Sequence, residues 1–231
     1  MDGIGVLTWK DGSKYVGQFE NDKMSGKGRM TQANGDIYQG EWKNNMANGD
    51  GCIVNSSGGT SDGHWVDDLQ DGFGKETWEF GKIKFSGQYS KGQKMGRGRY
   101  EWSDGSYYEG EFLDSKFSGF GVYYFAEAEK TYEGQFQDNV FEGKGKFTFK
   151  DGRQYTGDFS NGLKCGQGTL VYANGNKYIG AWENDLQHGI GIMFIAEEGV
   201  KKQGEWKQGK RTRWLSKPIK VNGENNKILS S

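Results

Sequence analysis

Residues 143–159 read Gly143-Lys144-Gly145-Lys146-Phe147-Thr148-Phe149-Lys150-Asp151-Gly152-Arg153-Gln154-Tyr155-Thr156-Gly157-Asp158-Phe159. Gly143, Gly145, Phe147 and Phe149 are spaced by two, so they share one face of an extended segment, and Tyr155, Gly157 and Phe159 share one face of the next. Asp151-Gly152 between them is a turn dipeptide that accepts positive φ. The intervening Lys144, Lys146, Thr148, Thr156 and Asp158 are polar and face water. The stretch is a β-hairpin with one face of rings and glycines and one water-facing side.

The same hairpin recurs along the chain. Aromatic-x-Gly-x-aromatic triplets are centred on Gly17, Gly40, Gly87, Gly110, Gly134, Gly157 and Gly180, with degenerate copies around Gly63 and Gly204, so the step is 23 or 24 residues. A Gly-x-Gly pair follows nine residues after each of the first eight, and Gly3 and Gly5 precede the series. Asp11-Gly12, Asn34-Gly35, Asp104-Gly105, Asp151-Gly152 and Asn174-Gly175 mark the turns, and Gly58-Gly59 serves in a sixth. Three connections, around Gly81, Ala128 and Glu198, are one residue longer and lack the Asp-Gly or Asn-Gly pair, which predicts a relaxed demand for that turn. Glycine on the ring face leaves room for a neighbour's ring over the backbone. No hairpin buries its rings alone, so stability is shared between neighbours.

Composition agrees. Forty glycines without a triplet period exclude collagen, and 15% aromatic residues exclude a flexible linker. No apolar run reaches the roughly 20 residues of a membrane-spanning helix, and no signal segment opens the chain. Lys201, Lys202, Lys207, Lys210, Arg211, Arg213, Lys217 and Lys220 face only Glu205 between residues 201 and 220, so a basic end follows an acidic body.

The repeated signature resembles the MORN (membrane occupation and recognition nexus) repeat over about residues 3–209. The resemblance implies a twisted antiparallel β-solenoid. MORN arrays occur in radial spoke head proteins of cilia, protist cytoskeletal scaffolds, junctophilins and plant phosphatidylinositol phosphate kinases, where a separate catalytic domain accompanies them. Two positions depart from the pattern: Ser61 replaces an aromatic residue, and Glu76 stands where other repeats place Leu7, Met30, Tyr100 or Phe147. A carboxylate there needs a partner or water, which predicts a soft joint near residues 55–80. Met1 falls almost on a Gly-x-Gly strand, which predicts either a fragment or an edge covered by another chain.

Chemistry is sparse. Gly72-Phe73-Gly74-Lys75-Glu76-Thr77-Trp78 lacks the four-residue glycine spacing and the Lys-Ser/Thr of a phosphate loop. The two histidines, His64 and His188, lie in different repeats and assemble neither a metal centre nor a triad. Cys52 and Cys165 are five repeats apart, too far for a disulfide. Asp22, Asp67, Asp68, Asp114, Asp138 and Asp185 read as hydrated turn residues. No catalytic residue, cofactor or metal is expected, and no nucleic acid or small-molecule substrate.

The water-facing side carries the functional signal. Phe120, Val122 and Tyr124 alternate with glycines of one repeat, and Ile190, Ile192 and Phe194 with those of another, Ile179 lying on the adjacent strand. Exposed apolar clusters mark contacts; the competing reading is that Ile219, Val221, Ile228 and Leu229 fold back over the last repeats. The expected protein is all-β, an elongated single-layer antiparallel β-solenoid of about nine hairpins over residues 1–215, followed by a loosely ordered tail, 216–231. Its expected role is a non-catalytic scaffold for protein partners in a ciliary or other cytoskeletal assembly, in the cytoplasm. The alternatives are an adaptor on anionic phospholipid through Lys201 to Lys220, and the regulatory fragment of a phosphatidylinositol phosphate kinase.

Overall fold

The computed structural model describes residues 2–221. The chain divides into two compact units, one ending at Phe117 and the other beginning at Ser118. The first holds β1 (Gly3–Thr8), β2 (Lys14–Glu20), β3 (Lys23–Thr31), β4 (Ile37–Lys43), β5 (Met46–Val54), β6 (Thr60–Val66), β7 (Leu69–Trp78), β8 (Ile83–Ser90), β9 (Gln93–Glu101) and β10 (Tyr107–Leu113). Each pairs antiparallel with its sequence neighbour. The second holds β11 (Lys116–Phe125, apart from its first two residues), β12 (Lys130–Gln137), β13 (Val140–Thr148), β14 (Gln154–Ser160), β15 (Leu163–Val171), β16 (Lys177–Glu183), β17 (Leu186–Ile195), β18 (Val200–Lys207), β19 (Lys210–Trp214) and β20 (Ile219–Lys220). The same pairing continues to β19, and β20 returns to pair with Val200 and Lys201 of β18. Among the described residues the one helical element is a 3-10 turn, Glu79–Gly81. The fold is all-β and antiparallel.

The glycines explain the packing. In β11 to β18 Gly121, Gly134, Gly145, Gly157, Gly168, Gly180, Gly191 and Gly204 pair across successive strands as an unbroken spine, and Gly5 to Gly110 do so in the first unit. A Cβ at Gly134 falls 2.5 Å from Gly145 Cα and 2.6 Å from the Tyr132 hydroxyl oxygen, because the Tyr132 ring lies over both glycines. That hydroxyl donates to the Gln135 carbonyl at 2.9 Å. Tyr155 is edge-on to Phe159 of its own repeat (5.3 Å) and to Trp182 of the next (4.9 Å). Tyr15, Tyr108, Tyr132, Tyr155 and Tyr178 are fully buried this way. Each such ring pair contributes about 1 kcal/mol beyond its buried area, so neighbouring hairpins interlock.

Three details differ from the sequence reading. The first glycine of each Gly-x-Gly pair is not a ring slot. Gly143 has φ 66 beside the register shift between Gly134 and Phe136, and its bulge is sealed by Gln135, whose Oε1 accepts the Lys144 N–H at 2.8 Å. The Asp-Gly connections are three-residue loops in which the glycine carries positive φ and the Asp does not; Trp9 N–H donates to Ser13 O and Gly12 N–H to Trp9 O. The two-residue turns instead join β2 to β3 and its equivalents, through pairs such as Asn21-Asp22 (φ 50 and 61) and Asp67-Asp68 (φ 48 and 68). The longer connections do not escape positive φ either, since Glu129 takes 44° and Gly199 takes 59° to reverse the chain.

Glu76 has a partner. Lys94 Nζ bonds its carboxylate at 2.7 Å and lies over the rings of Trp78, Phe85 and Tyr89 at 4.8–5.3 Å. Pairing runs unbroken through β6, β7 and β8 here, with only the bulge that other repeats share. Residues 216–221, assigned to the tail above, are held along β18: Ser216 N–H donates to Gln203 O, Ile219 and Lys220 pair with Lys201 and Val200, and Val221 N–H donates to Gly199 O. Ile228 and Leu229 lie outside the described residues.

Candidate protein-interaction surface

A strand that carries glycine at its centre has side chains standing on either side of a bare backbone strip. Repeated across strands in register, the strip becomes a groove on the water-facing side. In the second unit this groove measures about 750 Å³ and runs from Phe120 on β11 to Ile179 on β16. Gly134, Gly145, Gly157 and Gly168 floor it; Glu133, Lys144, Lys146, Thr156, Gln167 and Thr169 line it. The polar lining was not singled out from the sequence, although its alternation with the glycines is the signal that locates it. A second groove of about 650 Å³ lies in the first unit, between Val16, Lys27, Arg29, Gln39, Glu41 and Asp50.

The apolar residues expected to make contacts fall on this side. Phe120 is 52% exposed; Val122 and Tyr124 continue along β11, half-buried, opposite Glu133 and Thr131. Ile179 pairs with Ile192, joining the groove's far end to Ile190 (58% exposed) and to Phe194, which sits between Lys177 and Lys201. The structure thus joins Phe120 and Ile179 through one groove and extends it to the Ile190 cluster. Ile219 extends the sheet beside Lys201 instead of folding over Ile190.

Electrostatics within the groove are local. Burial pushes the Asp158 carboxyl up, but the Lys144 ammonium and the Gln167 N–H outweigh it and hold it below the usual carboxylate range. Glu133 and Lys146 are cross-strand neighbours and make no ion pair among the described residues. They are the charges left to meet a partner. His64 bonds Asp50 and His188 bonds Glu183, both at the surface, and Cys52 and Cys165 are free and half-buried.

The basic segment does not form one patch. Lys202 and Arg211 stand over Trp214 on the ring side (5.3 and 4.1 Å), whereas Arg213 bonds Glu205 on the other side at 2.7 Å. Lys201 faces Phe194, Lys207 and Lys210 flank the terminal turn, Lys217 is exposed, and Lys220 donates to the Glu198 carbonyl.

Comparison with solved structures returns domains of CPAP and SAS-4 at low identity. A mutant TCP10 domain of Danio rerio CPAP is 10% identical, with 94% of this chain and 99% of that one covered and a TM-score of 0.49. The TCP domain of Drosophila melanogaster SAS-4, solved with a proline-rich motif of Ana2, is 13% identical over 73% and 90%, with a TM-score of 0.32. The G-box domain of the microcephaly protein CPAP is 9% identical over 93% and 99%, with a TM-score of 0.33. No curated protein sequence matches the chain. The MORN repeat model matches ten segments, residues 1–14, 15–37, 38–60, 62–79, 85–107, 108–127, 132–152, 155–177, 178–195 and 203–212, in phase with the hairpins described above. The chain belongs to the MORN-repeat family.

Proposed function

We propose that this protein is a non-catalytic scaffold that holds protein partners along its water-facing grooves, within a ciliary or other cytoskeletal assembly in the cytoplasm. The groove between Phe120 and Ile179 carries this reading. It crosses five strand spacings, about 24 Å, which an extended segment of roughly seven residues spans. Such a segment would seat an apolar side chain at each end and meet Glu133 and Lys146 between them. Specificity then comes from the side chains of each repeat and binding area from the shared backbone floor. Phe120→Ser with Tyr124→Ser should leave the melting temperature nearly unchanged and remove the bound partners in a pull-down from the native cell. An identical partner set from the double variant would sink the proposal.

A second reading has its own support: Trp214, capped by Lys202 and Arg211, is followed in the chain by exposed Leu215 and Ile219, a combination suited to an anionic membrane surface. Sedimentation with phosphoinositide vesicles tests it. Binding that falls as salt rises, and that Arg211→Glu removes, favours this reading.

A further inference from the structure

The ring-and-glycine register lacks its first ring twice, at Ser61 and at Lys202, and the Ser61 gap is the one flanked by complete repeats on both sides. In six repeats a tyrosine lies over the adjacent glycines and its hydroxyl donates to the carbonyl three residues on: Tyr15 to Gln18, Tyr38 to Glu41, Tyr108 to Glu111, Tyr132 to Gln135, Tyr155 to Asp158 and Tyr178 to Ala181. The equivalent position between Tyr38 and Phe85 is Ser61. Gly63 shows the consequence. A Cβ there has only backbone as its nearest neighbours, Gly74 Cα and Phe73 O at 2.9 Å and Gly74 N at 3.6 Å. At Gly40 and Gly157 a tyrosine oxygen stands at 2.6 and 2.5 Å instead. Tyr89 covers Gly74, at 3.0 Å, and is not among the nearest neighbours of Gly63.

The residues around the gap are polar: the Ser61 and Glu76 positions are apolar in the neighbouring repeats, whereas the Gln70 position is polar elsewhere too, as at Lys94, Lys164 and Gln187. Ser61 donates to Glu76 Oε1 across the strands at 3.5 Å. Gln70 pairs with Trp65 as Phe141 pairs with Phe136, and Phe141 lies on the Tyr132 ring at 4.1 Å. By that register Gln70 is the lid over the Ser61 position. It is 6% exposed, and its Nε2 donor is buried without a hydrogen-bond partner among the described residues, as is the hydroxyl of Tyr89, whose ring covers Gly74. A buried donor without an acceptor is a standing cost that an incoming acceptor removes.

We propose that the slot over Gly63, bounded by Ser61, Gln70 and Glu76, binds a phenol ring from outside the chain. The ring takes the place that tyrosine fills in the other repeats, its hydroxyl donating to the His64 carbonyl and accepting from Gln70 Nε2. The site is independent of the water-facing groove, because it lies on the ring side.

Titrating p-cresol, the tyrosine side chain without its backbone, into the full chain and following amide 1H–15N shifts tests this directly. Saturable shifts centred on Gly63, His64 and Gly74 are expected, with toluene binding roughly fivefold more weakly for want of the hydroxyl. Ser61→Tyr, which supplies the ring from within, should abolish them. Gln70→Phe, which removes the amide donor and installs the ring that Phe141 supplies in its own repeat, is the second variant and should erase the preference for p-cresol over toluene. N-acetyltyrosinamide separates the sources: if it binds as well, a partner's tyrosine enters the slot, and if p-cresol alone binds, the occupant is a small free phenol. Shifts that fail to saturate, or that persist unchanged in Ser61→Tyr, overturn the proposal.

Discussion

At the residue scale, glycine and tyrosine divide the work of a core that has no depth. Gly145 is closed to any side chain by the Tyr132 ring, whereas Gly152 has nothing within 4 Å and needs only its φ of 85°. Gly145→Ala should therefore cost 3 kcal/mol or more, by an order-of-magnitude estimate for overpacking, and Gly152→Ala about 1 kcal/mol for left-handed strain; chemical denaturation of the two variants checks the ordering. The tyrosines give a pH dependence. Burial, helped at Tyr38 by the Glu41 carboxylate, pushes the hydroxyls of Tyr38 and Tyr178 up to about 12 from 10.0. A raised folded-state value means that the native chain holds the proton more tightly, so this contribution is complete below pH 10 and is lost as pH rises from 10 towards 12. The denaturation midpoint should fall between pH 9 and 11.5, with tyrosinate at Tyr38 and Tyr178, followed residue by residue by NMR, forming only on unfolding. Tyrosinate at either residue in the folded chain near pH 10 would contradict the burial.

At the element scale, turns tie each hairpin to the one before. Asn45, Asp68 and Asp185 place a side-chain Oδ1 on the N–H of Met24, Ala47 and Lys164, while their own N–H groups donate to the carbonyls of the same residues. Asp68→Ala should cost about 1 kcal/mol through the orphaned Ala47 N–H, and faster amide exchange at Ala47 is its signature. The period-2 pattern made the strands legible, and the 23-residue step made the family legible. The turns were legible in place but not in type, because Asp-Gly is a strong two-residue hairpin signal that here closes a three-residue loop, while Asn and Asp pairs accept positive φ nearly as well. Glu76 was legible as an anomaly, but its partner was not: Lys94 lies 18 residues away on β9, and only the register of β7 to β9 brings them together. Lys94→Met should destabilise by about 3 kcal/mol, because it leaves a largely buried carboxylate with only the long bond from Ser61. Glu76→Leu with Lys94→Met should restore most of that loss, and equal destabilisation of single and double variants would show that the pair is not what matters there.

At the scale of the whole molecule, each of the two units holds its fold together on the ring side of its strands and leaves the other side facing water. Phe120 and Ile190 were legible because apolar residues on a polar side stand out; the groove between them was not, because its floor consists of glycines already explained by the rings on the opposite side. The basic segment read as one patch in the sequence, yet strand alternation distributes it over both sides. The most direct measurement of this division compares Thr156→Arg with Thr169→Arg, two groove substitutions combined, against Gly157→Ala on the spine. Melting temperature and partner recovery are read on the same samples. The groove variant should melt within a few degrees of the native chain, as surface substitutions do, and recover none of the groove partners, while the spine variant melts far lower. Full partner recovery by a folded groove variant would contradict the account.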